Sequence, residues 1–76
     1  MIFLISAYRK GADFPESEID VTDLGGEFLA GLFGIPLREF SDVHPIGEGH
    51  AEAISRRSGV TFDLASRDYF LEVEAD

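Results

Sequence analysis

Fifteen Asp and Glu against six Lys and Arg give this 76-residue chain a net charge of −9, and it contains no cysteine. That length makes one domain, 1–76, with a single thin core. The missing cysteine excludes disulfide frameworks, thiolate zinc sites and thiol nucleophiles, and the charge opposes direct binding to nucleic acid or an anionic membrane, both of them polyanions.

Residues 2–8, Ile-Phe-Leu-Ile-Ser-Ala-Tyr, form a continuous apolar run with β-branched and aromatic members. The run has no basic segment before it and is far too short to span a membrane, so it reads as a central strand, apolar on both faces. Gly11, Asp13 and Pro15 make residues 9–15 a turn. Residues 16–21 alternate acid with smaller or apolar residues, which predicts a half-buried strand with Ile19 and Val21 inward.

Leu24, Phe28 and Leu32 recur at helical spacing, with Leu29 and Phe33 beside them. Thr22 or Asp23 can cap the helix, Gly25 and Gly26 weaken its first turn, and Gly34 followed by Pro36 ends it. Residues 34–48, broken by Pro36, Pro45 and Gly47, with Gly49 just beyond, read as a loop with buried anchors at Ile35, Leu37, Phe40, Val43 and Ile46. A short second helix over 49–58 places Ala51 and Ile54 on one face and Arg56 and Arg57 in its last turn, where cations suit the helix dipole. Gly59 closes it. The stretch 68–74 alternates Tyr69, Leu71 and Val73 with Phe70, Glu72 and Glu74 and reads as the last strand.

The order is therefore ββααβ: an α+β fold with a three-stranded antiparallel sheet, the first strand in the middle and both short helices on one face. The other face would carry Glu16, Glu18 and Asp20 on one side and Phe70, Glu72 and Glu74 on the other. A stripe from the first strand would run between them, either Ile2, Leu4, Ser6 and Tyr8 or Phe3, Ile5 and Ala7. A dry centre with a polar border has the anatomy of an interface. Phe70 is the candidate anchor; a one-residue shift of register would make it core and give Tyr69 the outer role.

Catalytic and metal constellations are weak. His44 and His50 have Asp42, Glu48 and Glu52 nearby in sequence, but His50 and Glu52, two apart, do not share a helix face. No nucleophile-elbow pattern surrounds any serine, no phosphate-binding glycine pattern is present, and Glu16-x-Glu18-x-Asp20 lacks the glycine and terminal glutamate of a calcium loop. The expectation is a non-enzyme with neither cofactor nor metal. Acids on a strand edge also discourage unwanted sheet pairing, a purely structural use.

Ile19-Asp20 to Leu24, Leu29-Ala30-Gly31-Leu32-Phe33-Gly34, His44-Pro45-Ile46, Phe62-Asp63 and Asp68-Tyr69-Phe70-Leu71-Glu72 together resemble a family of short, uncharacterised acidic bacterial proteins. The pattern there is a helix ending in Leu-x-x-Leu-Phe-Gly, a Tyr-Pro-Ile-like loop and a Tyr-Phe-Leu-Glu strand; His44 stands where that pattern has an aromatic. Proteins of this size and acidity recur among immunity proteins of bacterial toxin systems. The resemblance implies, by type, a cytoplasmic protein that neutralises a basic toxin domain. On this expectation Glu16, Glu18, Asp20, Glu72 and Glu74 pair with Lys and Arg of the partner, and Phe70 anchors. The alternative is a homodimer or accessory subunit joined through the apolar stripe, with the acids serving solubility. A weaker third expectation is mimicry of DNA by ordered carboxylates.

Overall fold

The computed structural model describes residues 1–75. Its elements are β1 (Ile2–Arg9), β2 (Ser17–Asp20), α1 (Gly26–Phe33), β3 (Asp42–Pro45), α2 (Glu48–Ser58) and β4 (Arg67–Glu74), with 3-10 turns at Thr22–Leu24 and Leu37–Glu39. The strands form one antiparallel sheet in the order β2-β1-β4-β3. The fold is thus α+β with two helices, and the expectation of three strands in the order ββααβ is corrected to four strands in the order ββαβαβ.

The extra strand comes from the segment read as a loop. Phe40 and Ile46, at its two ends, are 1% and 6% exposed. Phe40 stacks near Phe3 and Phe33, at 6.0 Å from each ring. Burying both anchors draws residues 42–45 alongside β4, whose outer backbone groups would otherwise lie unpaired. Asp42 then sits opposite Val73 and Pro45 opposite Phe70. Pro45 is tolerated because β3 is an edge strand, where its missing N–H breaks no ladder.

The strand register sorts side chains into two faces. Phe3, Ile5 and Ala7 of β1 stand beside Val73, Leu71 and Tyr69 of β4, and Ile5 is also opposite Ile19 of β2. These residues belong to one cluster with Leu29 and Ala30 of α1 and Ala51 and Ile54 of α2, so both helices lie on this face. Ile5, Leu29, Ile54 and Leu71 are 0% exposed. Side chains of this size contribute about 1.5–3 kcal/mol each when fully buried. Gly34, at φ 70°, ends α1 in the left-handed conformation that side chains resist, and its N–H reaches the Ala30 carbonyl. Arg57 lies 4.4 Å above the Phe28 ring and ties the end of α2 to α1. No described helix is long and apolar enough to cross a membrane.

Candidate partner-binding face

No described helix covers the other side of the sheet. Alternation along each strand puts Glu18 and Asp20 of β2, Ile2, Leu4, Ser6 and Tyr8 of β1, Asp68, Phe70, Glu72 and Glu74 of β4, and Val43 and Pro45 of β3 on that side. Across the strands they form rows: Asp20–Leu4–Glu72–Val43, and beside it Glu18–Ser6–Phe70–Pro45. No Lys or Arg occupies any of these strand positions. Lys10, just past β1, bonds Asp68 at 2.6 Å at one end of the face.

The apolar part of the face is partly open to water. Val43 is 56% and Ile2 38% exposed, while Leu4, Tyr8 and Phe70 are half-buried. Phe70 meets Tyr8 edge-on at 5.5 Å, a geometry that suits the ring quadrupoles and fixes both rings. Glu72 stands in the middle and accepts a hydrogen bond from the Ser6 hydroxyl. Ser6 is itself 0% exposed, a short side chain closed over by taller neighbours. A carboxylate has lone pairs for several donors, so Glu72 retains capacity for a further cationic one.

The expected site residues fall into two groups. Glu18, Asp20, Phe70, Glu72 and Glu74 share the open face. Glu16 does not; it precedes β2, and its carboxylate turns to Arg67 at 2.5 Å and Arg9 at 2.8 Å. Hydrogen bonds from Arg67 and then Arg9 hold Glu16 below the usual carboxylate range, and Arg67 is raised in turn by Glu16. Asp20 is also lowered, by hydrogen bonds from Thr22, whose N–H donates to it at 2.8 Å. Leu4, Ser6 and Tyr8 belong to one of the two stripes that β1 offered in the sequence, and the register selects it. Val43 and Leu37, expected as buried anchors of a loop, are instead 56% and 41% exposed, because Val43 lies in an edge strand and points to the open face.

The histidines serve the fold. His50 stacks on Phe33 at 4.1 Å, and its Nδ1 accepts the Gly47 N–H at 3.1 Å, closing the start of α2. His44 stacks on Phe40 at 5.1 Å and donates from Nε2 to the Ser41 carbonyl at 2.6 Å. Among the described residues no group of three or more His, Cys, Asp or Glu could hold a metal ion.

Fold and face together define a small two-layer α+β protein with one bare sheet surface. Its carboxylates lie along the β2 edge and the internal β4, while the β3 edge is apolar, so the expected border of acid on both sides is found on one side only. The chain belongs to the family Domain of unknown function DUF7683, which matches it over residues 2–72. That span includes Ser6, Phe70 and Glu72 and stops short of Glu74. No curated protein and no solved structure matches the chain.

Proposed function

We propose that this chain is a non-enzymatic binding module that docks a basic protein on its open sheet face. Neutralisation of a cationic toxin domain is the particular role we assign to it. The observation that carries the reading is the face itself, with half-exposed apolar side chains, carboxylates of β2 and β4 interleaved with them and no cation in its strand positions. An occupant of opposite charge is steered to such a surface and gains most where its side chains desolvate against Leu4, Tyr8 and Phe70. Glu72, in the middle of the face, is the best-placed acceptor for an Arg or Lys, with Glu18 and Asp20 beside it.

The test is capture from the source cell with the tagged chain, followed by identification of the partner and titration against it. The partner should be basic, and its affinity should fall about tenfold or more between roughly 50 and 300 mM salt. A Glu18→Lys/Glu74→Lys variant, at two exposed strand positions, should retain its fold and lose the partner. A partner bound equally well by that variant at both salt concentrations would overturn the proposal.

A further inference from the structure

A second concavity lies beside the open face. It is a cleft of about 720 Å³ between α2, the segment leading into β4, and the ends of β3 and β4. Its floor is apolar: Ile46, Ala51, Phe62, Leu64 and Tyr69. Glu48 and Glu52, one helical turn apart on α2, form one rim, and Phe70 and Asp68 of the open face reach its other side. The volume falls within the usual range of ligand sites.

The cleft is held open by bonds within the fold. The Tyr69 hydroxyl accepts the Asp63 N–H at 2.9 Å, and the Asp63 carbonyl accepts the N–H groups of Ser66 and Arg67 at 3.2 and 3.0 Å. Phe62 rests edge-on against Tyr69 at 4.9 Å. These contacts pin residues 62–67 away from α2. Ala51 and Ala65 then leave the space between unfilled.

Charge selects the occupant. Lys10 and Arg67 also line the cleft, but the charge of Lys10 is balanced by Asp68 and that of Arg67 by Glu16 and Asp63, which leaves Glu48 and Glu52 as the surplus acids. Glu52 shares an exposed ion pair with Arg56 one turn along, a contact of small worth that a competing cation can displace. Among the described residues Glu48 has no such cation. The Cα positions of Glu48 and Glu52 are separated by about 6 Å along the helix axis. Side chains on one side of an extended peptide repeat at about 6.8 Å, a close match.

We infer that this cleft receives an extended peptide segment with alternating apolar and cationic side chains, the cations on Glu48 and Glu52 and an apolar side chain on the Phe62–Leu64 floor. The identity of its source as the open-face partner rests on the function proposed above; the chemistry of the cleft does not. Because Phe70 and Asp68 border both surfaces, one basic partner can cover the face and lay such a segment in the cleft.

The probe is an acetylated, amidated hexapeptide of alternating Lys and Leu, titrated into the full chain and followed by the backbone amide resonances. Its control is the corresponding Glu and Leu hexapeptide. The Lys peptide should shift the amides of Ala51, Ser55, Leu64 and Ala65 saturably, and the Glu peptide should not. Glu48→Gln should weaken binding by about threefold, the worth of one exposed charge contact. Ala65→Trp, at an exposed position where the fold tolerates bulk, should close the cleft and weaken binding by about tenfold or more. Equal shifts with the Glu peptide, no saturable shifts, or undiminished binding by Ala65→Trp would overturn the cleft. So would shifts confined to Leu4, Ser6 and Glu72, but that result would leave the open-face reading standing.

Discussion

Glu16 shows how a residue can share a sequence pattern without sharing its surface. Glu16, Glu18 and Asp20 alternate, and on a single strand they would face one way. The ladder begins at Ser17, so the two-residue period does not govern Glu16, and two guanidinium groups claim it instead. One of them, Arg67, is 51 residues away, a distance no local pattern spans. The contact has a pH signature. Glu16 titrates lower in the folded chain than its ordinary unfolded value of about 4.3, so its contribution is present above that value and fades as pH falls through the folded one. Glu16→Gln should therefore lower the urea midpoint at about pH 7 and lower it less at about pH 3, below the unfolded value, where part of that contribution is already lost. An equal shift at both pH values would show that the pairing with Arg67 and Arg9 contributes nothing.

At the scale of elements, β1, β2, β4 and both helices were legible because each carries its own signal: an apolar run, an alternation, or a stripe at helical spacing. β3 carries none. It has four residues, includes a proline, and begins at Asp42, whose φ of 67° is left-handed. Its pairing is imposed from outside by the burial of Phe40 and Ile46, which a window over residues 34–48 shows only as scattered apolar positions. Asp42 tolerates this conformation better than most side chains, and a β-branched residue tolerates it worst. Asp42→Val should cost about 1–3 kcal/mol in denaturant unfolding, whereas Asp42→Gly should be neutral or stabilising; equal losses would place the cost elsewhere. The two sheet faces differ in the same assay. Leu71→Ala, under the helices, should cost about 2–5 kcal/mol. Val43→Ala, on the open face, should stay within about 0.5 kcal/mol. The open face was legible in outline from the acids of β2 and β4, but its central stripe was not, since either alternation of β1 could have faced out.

At the scale of the whole molecule, the bare face raises the question of self-association, because apolar side chains on an uncovered sheet invite a second sheet. A standard interface removes about 800 Å² from each partner, roughly a sixth of this chain's 4764 Å² of accessible surface. Area alone does not decide the matter; charge does. Packing two copies face to face would bring Glu18, Asp20, Glu72 and Glu74 against the same carboxylates of the other chain, with no Lys or Arg from the strands between them. Like charges brought together at an interface cost several kcal/mol, enough to outweigh a modest apolar patch. The chain should sediment as an 8.4 kDa monomer at low salt and neutral pH. Replacing the four acids by Glu18→Gln, Asp20→Asn, Glu72→Gln and Glu74→Gln should leave shape and apolar surface nearly unchanged while removing the repulsion, so that variant should dimerise at high concentration. If the parent chain is already a stable dimer that hides Phe70, the face closes on itself, and the carboxylates serve solubility rather than recognition.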